Sequence, residues 1–181
     1  MNEKAIIKKL QKGDLNVLKG IWDKNSQNVL NLAFRMLLDR DKAEDILMDV
    51  FVSIPDAIKR FRGDSAISTW LYTLTKNACL MKLRSDRCHF KIVSTRKSEI
   101  EEHSTGKEDK GLSEPDKETL FAGLSVLTPE IRSLLWLKDA EGLDIKTLAE
   151  MYKAPEGTLK ARLSRARAEV RKVIEKENQY A

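Results

Sequence analysis

The stretch APEGTLKARLSRAR, residues 154–167, decides the fold of the C-terminal part of the chain. Its proline stands where a helix begins, because the N–H that proline lacks has no partner in a first helical turn. A helix from Pro155 to Lys172 would gather its apolar side chains into one buried seam. At about 100° per residue, four of them fall within about 60° of one another: Leu159, Leu163, Ala166 and Val170.

A second helix comes just before this one. Asp144 is placed to cap IKTLAEMY, residues 145–152, and only Lys153 and Ala154 separate the two helices. These lengths are those of a helix-turn-helix. The face opposite the seam has small side chains, which allow close approach to a DNA groove, and cations and hydroxyls, which bond base edges and phosphates: Thr158, Lys160, Ala161, Ser164 and Arg165.

The charge of the same segment favours a nucleic-acid partner. Between Lys153 and Lys176 there are eight basic and three acidic side chains, and the whole chain has a formal net charge of +5. Such a surface attracts phosphate groups. A solvated charged helix without a ligand is the alternative, but the capped helix before the turn favours DNA binding.

Helical periodicity extends through the rest of the chain. Of the 181 residues, 41% are hydrophobic and 34% charged, which suits a core under densely charged outer faces. Apolar residues recur at helical spacing, and no alternation of useful length predicts a strand. The predicted fold class is therefore all-α.

An acidic stretch separates two helical regions. From Ser98 to Glu118 there are eight acidic and three basic side chains, with only two aliphatic ones. Such a segment buries too little apolar surface to offset the entropy of ordering it. We predict a helical domain over residues 1–93, a flexible linker over 94–118 and a helix-turn-helix domain over 119–181.

Local signals predict where the N-terminal helices begin and end. Gly13 and Asp14 end one helix and cap the next. Asp41 and Glu44 have the spacing of a capping box at the start of another helix. Pro55 predicts a kink or break in that helix, because it removes a backbone hydrogen bond.

The segment FRGDS, residues 61–65, predicts a turn in which Asp64 or Ser65 caps the next helix. Lys76 and Asn77 should lie on the outer face of that helix. Its predicted buried stripe, which places Trp70 in the core, consists of Ile67, Trp70, Leu71, Leu74, Ala78 and Met81. Further along, Thr128 should cap a helix that has Pro129 at its first position.

Several classes of site and location are disfavoured. The cysteines and histidines (Cys79, Cys88, His89 and His103) lack the paired spacing of a zinc site, so we expect no metal and no cofactor. The acidic run EDILMD, residues 44–49, has no matching acidic motif elsewhere, which argues against an enzyme. Sparse cysteines, and the lack of a secretory signal or a long apolar run, favour a reduced, cytoplasmic protein.

Segments from both helical regions resemble a known family. Residues 127–172, LTPEIRSLLWLKDAEGLDIKTLAEMYKAPEGTLKARLSRARAEVRK, resemble the promoter-recognition domain of bacterial extracytoplasmic-function (ECF) sigma factors of the sigma-70 family. DKAEDILMDVFVSI at 41–54 and FRGDSAISTWLYTLTKNACLMKLR at 61–84 are similar to their N-terminal domain. With QKGD at 11–14, the resemblance covers both domains and leaves out only the linker and the tail.

The resemblance implies roles in DNA recognition. The exposed face of the last helix would read the −35 element, with Arg162 and Arg167 on phosphates. The N-terminal domain would open the −10 element and hold an extruded base and the non-template strand with six residues: Phe61, Arg62, Asp64, Ser65, Lys76 and Asn77.

It also implies protein partners and no small-molecule substrate. Core RNA polymerase would be bound at its β′ clamp helices and β flap, and Glu44, Asp45 and Asp49 would face the clamp helices; a solvated acidic helix face is the alternative. The linker would pass through polymerase channels, where its charge mimics RNA or merely keeps a tether solvated. An anti-sigma factor is a further expected partner.

The chain departs from the family pattern at two further positions. Ile67 stands where many relatives carry an aromatic residue, and Lys153 where they often have glycine. If the turn requires a positive φ, lysine there costs about 1–2 kcal/mol. The competing class is a helix-turn-helix transcriptional regulator whose N-terminal helices sense a ligand or dimerise.

Overall fold

The computed structural model describes residues 3–94 and 121–180, with side chains described over 3–87 and 121–176. The chain forms two compact units, residues 1–103 and 104–181. In the described ranges every regular element is a helix, which confirms the predicted all-α class.

The first unit is a bundle built around a long central helix. Its elements are α1 (Glu3–Gln11), a 3₁₀ turn (Leu15–Val17), α2 (Leu18–Leu37), α3 (Arg40–Ala57), a second 3₁₀ turn (Ile58–Arg60) and α4 (Ile67–Ser94). Helix α2 packs against both α3 and α4. The fully buried aliphatic side chains each contribute about 1.5–3 kcal/mol through burial; among them are Leu32, Met36, Ile54, Ile58 and Leu71.

The join between α1 and the first 3₁₀ turn follows the sequence prediction. Gly13 has a φ of 86°, a left-handed conformation that glycine adopts without steric cost. The Asp14 carboxylate accepts a hydrogen bond from the Asn16 N–H at 3.1 Å and so caps the turn.

The predicted capping box at the start of α3 is wrong. The N-cap is Asp39, whose Oδ1 accepts from the Lys42 N–H at 3.0 Å. Because the helix begins before Asp41, Glu44 lies one turn after Arg40 and pairs with its Nε at 2.8 Å.

The predicted break at Pro55 does not occur. Helix α3 contains Pro55 and continues to Ala57, after which the chain tightens into the 3₁₀ turn. Proline removes only one backbone hydrogen bond. The flanking Ile54 and Ile58 are fully buried, and their packing keeps the segment helical.

Helix α4 begins one residue later than a Ser65 cap would imply and two residues later than an Asp64 cap would imply. The Ala66 carbonyl accepts the first helical bond, from the Trp70 N–H at 3.1 Å, so Ala66 is in the N-cap position expected for Asp64 or Ser65. The Ser65 hydroxyl donates instead to the Ala66 carbonyl at 3.5 Å. Within α4, Cys79 is fully buried, and this burial raises the pKa of its thiol to about 12.

The second unit consists of short helices followed by a long one. Residues 121–125 (α5) are helical, followed by α6 (Pro129–Asp139), α7 (Ile145–Tyr152) and α8 (Glu156–Tyr180). Thr128 and Asp144 occupy the predicted N-cap positions of α6 and α7, although only Asp144 makes a side-chain capping bond. The Asp144 carboxylate accepts from the Thr147 N–H at 2.7 Å and from the Thr147 hydroxyl at 3.0 Å. These two bonds lower the pKa of Asp144.

One polar pair joins α6 to α7. The Ser133 hydroxyl donates to the Glu130 carbonyl at 2.8 Å, so the Tyr152 hydroxyl must donate to Ser133 Oγ, 2.7 Å away. Burial raises the pKa of Tyr152, which keeps it a neutral donor. The bond fixes the helix that precedes the turn of the helix-turn-helix.

Candidate nucleic-acid interface

The turn between α7 and α8 is closed by a left-handed lysine. Lys153 has φ 51° and ψ 46°, and its N–H lies 3.3 Å from the Glu150 carbonyl. The Ala154 N–H donates to the Ala149 carbonyl at 3.1 Å, which completes a Schellman motif. The turn therefore does require a positive φ, and a side chain there costs about 1–2 kcal/mol.

Helix α8 has one buried seam and one exposed face. Leu159, Leu163 and Ala166 are at most 3% exposed, as the sequence predicted, whereas Val170, the fourth predicted member of the seam, is only half-buried. We call the exposed residues opposite them the basic face of α8: Thr158, Lys160, Ala161, Arg162, Ser164 and Arg165. Because the seam holds the helix against the rest of the unit, the basic face is free to approach another molecule.

Arg167 does not belong to the basic face. Its guanidinium forms a bidentate ion pair with Asp139, with Nε–Oδ2 at 3.1 Å and Nη2–Oδ1 at 2.6 Å. This bonding raises the pKa of Arg167 and ties α8 to the end of α6. The guanidinium is thus engaged within the unit, but both side chains of the pair are exposed, so the phosphate contact of Arg167 stays a prediction.

In the first unit, two aromatic rings stack beside the FRGDS turn. The ring centroids of Phe61 and Trp70 are 5.0 Å apart and the rings lie 25° from parallel. Both side chains are half-buried, so the prediction that Trp70 lies in the core is wrong. Arg62, Asp64 and Ser65 are exposed on the turn next to this aromatic pair.

The prediction that Lys76 lies on the outer face of α4 is also wrong. Lys76 is only 7% exposed, whereas its neighbour Asn77 is exposed. The buried face of α4 is rotated by about a quarter turn from the predicted stripe, and Met81 is 69% exposed. The buried residues are Ile67, Leu71, Tyr72, Thr75, Lys76 and Cys79.

The buried face of α4 differs from the predicted one because its polar groups form hydrogen bonds inside the bundle. The Thr75 hydroxyl donates to the Leu71 carbonyl at 2.8 Å, and Asn28 on α2 donates to the Tyr72 hydroxyl at 3.1 Å. A buried polar group that has a partner costs little. A count of apolar residues therefore misplaces the face.

Helix α3 has an exposed face that combines acidic and apolar side chains. Glu44, Asp45 and Asp49 are exposed, as predicted, although Glu44 also pairs with Arg40. Met48 and Val52 lie among them and are 54% and 74% exposed. Sequence reasoning missed these two, although both lie outside the buried apolar stripe of α3, which consists of Ala43, Ile46, Leu47, Val50, Phe51 and Ile54.

Comparisons with known proteins agree with this architecture. Residues 21–88 match the family model of sigma-70 region 2. The chain is 26% identical over 183 residues to the RNA polymerase sigma-H factor of Pseudomonas aeruginosa, covering 96% of this chain and 94% of the relative. It is 25% identical over 175 residues to the ECF RNA polymerase sigma-E factor of Escherichia coli K12, covering 92% and 91%.

Over nearly its whole length the chain is therefore similar to ECF factors of the sigma-70 family. Solved structures show the same fold as this chain. The sigma factor RpoE from Bartonella quintana, in complex with the anti-sigma factor NepR, matches with a TM-score of 0.72 and 22% identity, over 92% of this chain and 98% of that one. CnrH in complex with the cytosolic domain of CnrY matches with a TM-score of 0.66 and 15% identity, over 96% and 97%.

Within the residues that the structure describes, no group of three or more histidine, cysteine or acidic side chains is placed to hold a metal ion. None of the helices over the same residues is long and apolar enough to cross a membrane.

Proposed function

We propose that this sigma factor binds core RNA polymerase and directs it to promoters by reading the −35 element with α8. The observation that carries the proposal is the division of α8 into a fully buried seam and an exposed basic face, directly after a closed helix-turn-helix turn. The factor acts without catalysis of its own, in the cytoplasm, where polymerase works.

The basic face of α8 would lie in the major groove of the −35 duplex. Lys160 and Arg165 have the donors for base edges, and Arg162 adds a phosphate contact. Ala161 and Ser164 are small enough to let the helix backbone approach the groove. Lys160 now pairs with Glu156 at 3.6 Å, but both side chains are exposed, and such a pair contributes little and gives way to a DNA contact.

The first unit would capture one strand of the −10 element. Taking a base out of the stack costs a few kcal/mol, which the protein must offset by stacking and hydrogen bonding. The half-buried Phe61–Trp70 pair offers a ring surface next to the exposed Arg62, Asp64 and Ser65. Asn77 is exposed on α4 and would contact the non-template strand.

The exposed face of α3 that combines acidic and apolar side chains would bind the β′ clamp helices of polymerase. Asp45 and Asp49 supply negative charge for cations on the partner, which favours correct orientation. Met48 and Val52 supply apolar surface at the same helical spacing, and such surface in an interface centre contributes affinity. The second unit would contact the β flap.

We propose domain limits at residues 1–93 and 119–181, with the linker at 94–118 passing through polymerase channels that otherwise hold nucleic acid. An anti-sigma factor would bind the polymerase-facing surfaces and keep the factor inactive. The RpoE structure, whose fold this chain shares, is a complex of a sigma factor with an anti-sigma factor.

Reconstitution with purified core polymerase tests the proposal. We expect the full chain to co-elute with core polymerase and to start transcription from specific sites, and sequencing of those transcripts would identify the −35 and −10 elements. Tight binding of the isolated factor to duplex DNA, without association with polymerase, would favour a helix-turn-helix regulator instead.

A further inference from the structure

Helix α1 contacts the turn that carries Phe61. The side-chain amide nitrogen of Gln11 donates to two backbone carbonyls, that of Ile58 at 3.2 Å and that of Phe61 at 2.8 Å. Both neighbours are acceptors, so the NH₂ end of the amide must face them. One side chain thus connects both ends of the 58–61 segment to α1.

This segment is where the chain leaves the helix and turns toward α4. The Phe61 N–H donates to the Ile58 carbonyl at 3.1 Å, and Phe61 itself is extended, with φ −77° and ψ 123°. A bond to the Phe61 carbonyl restricts rotation about ψ of the same residue. It therefore restricts the direction in which the chain continues and the placement of the Phe61 ring on Trp70.

Helix α1 is itself fixed, which lets it act as a support. Ile7 and Leu10 are 7% and 2% exposed. A Cβ built on Gly63, in the same turn as Phe61, would lie 3.9 Å from Ile7 Cδ1. The apolar side of α1 therefore approaches the turn at one point and Gln11 holds it at another.

We propose that Gln11 is a positioning residue for capture of the −10 strand. It holds the 58–61 turn so that Phe61 and Trp70 stack in the geometry that receives an unpaired base. The inference rests on the proposed function of the first unit. It adds to that function a residue that lies outside the proposed DNA contacts and acts through the backbone.

The isosteric variant Gln11→Glu tests the hydrogen bonds directly. It keeps the size of the side chain, removes both donors and places a carboxylate against two carbonyl oxygens. Gln11→Lys restores a donor. The matched control is Gln27→Glu, which makes the same charge change at an exposed glutamine whose Nε2 donates to Asn31 in its own helix.

The first measurement is ¹⁹F NMR of the full chain labelled with 5-fluorotryptophan, with the Trp70 signal assigned by Trp70→Phe. Gln11→Glu should shift or broaden the Trp70 signal, and Gln11→Lys should return it toward the wild-type position. The Trp22 and Trp136 signals should stay in place in all variants, which excludes general unfolding. An unchanged Trp70 signal in Gln11→Glu would overturn the proposal.

The second measurement is promoter opening by the reconstituted polymerase. Gln11→Glu should lower the rate of opening about threefold to tenfold, in line with the loss of two solvent-accessible hydrogen bonds. Gln27→Glu should open at the wild-type rate, and pre-melted promoter DNA should not fully rescue Gln11→Glu, because capture itself is impaired.

The two proposals fail in different ways. If the wild-type factor opens no promoter with polymerase, the proposed function is wrong, whatever the NMR shows. If the wild type opens promoters and Gln11→Glu opens them equally fast, only the role of Gln11 is overturned.

Discussion

The two candidate DNA surfaces are built in different ways. The basic face of α8 is one side of a single helix, and its exposure follows from the burial of Leu159 and Leu163 on the other side. The surface around Phe61 and Trp70 is assembled from a turn, the start of α4 and a support from α1. A surface of the first kind depends on helical periodicity, whereas one of the second kind depends on tertiary contacts.

The largest effect is expected from removing the seam under the basic face. Leu159→Ala should destabilise the second unit by about 2–5 kcal/mol, because Leu159 is fully buried and a cavity would remain. Urea unfolding followed by Trp136 fluorescence measures the change. Val126→Ala, at a side chain of the same unit that is 54% exposed, is the matched control and should change stability by less than about 0.5 kcal/mol.

The next largest effect is expected on the binding of α8 to the −35 element. Arg165→Ala should weaken binding to the −35 element by about 1–3 kcal/mol if the guanidinium makes a bidentate base contact, and Lys160→Ala should act in the same direction. Competition with promoter variants in the reconstituted system measures this preference. If both variants keep the wild-type preference, the face is wrongly chosen.

Adjacent residues on α4 should separate folding from function in the first unit. Lys76→Ala should destabilise that unit by about 1–2 kcal/mol, because its buried stem packs in the bundle. Asn77→Ala should change stability by less than about 0.5 kcal/mol and instead slow promoter opening. Thermal unfolding and an opening assay on the same two proteins provide the measurements. Equal stability of the two variants would contradict the burial of Lys76.

A smaller effect is expected at the turn of the helix-turn-helix. Lys153→Gly removes the steric cost of the left-handed conformation but adds backbone entropy to the unfolded chain. We expect a net stabilisation of the second unit of up to about 1 kcal/mol, measured by urea unfolding. Lys153→Ala keeps the steric cost and serves as the control; an equal gain for alanine would mean that the gain does not come from the left-handed conformation.

The smallest effect is a dependence on pH. The pKa of Asp144 is lowered in the folded state by the bonds from Thr147, so its contribution is present above the unfolded pKa of about 4. That contribution is lost as the pH falls through the lower folded value. Asp144→Asn keeps the cap without a charge. In this variant the free energy of unfolding of the second unit should therefore fall less as the pH is lowered, as measured by acid unfolding. Identical pH profiles for the two proteins would show that the carboxylate charge does not matter.

Caps and burial were predicted correctly from the sequence where they depend only on the spacing of residues within one helix. Asp144 caps α7 and Leu163 is buried because spacing alone determines both. Lys76 and Trp70 were misplaced because their burial depends on α2 packing against α4 and on polar groups that find partners inside. The roles of Gln11 and Asp139 carry no local signal at all, since each acts on a residue far away in the chain.

The burial of Cys79 offers a way to follow opening of the first unit. Alkylating reagents attack the thiolate, and a fully enclosed thiol with a strongly raised pKa does not provide one. In a Cys88→Ser variant, the modification rate would therefore time the rare events in which helix α4 comes away from its neighbours. This native reporter would show whether a bound partner slows those events, without any introduced dye.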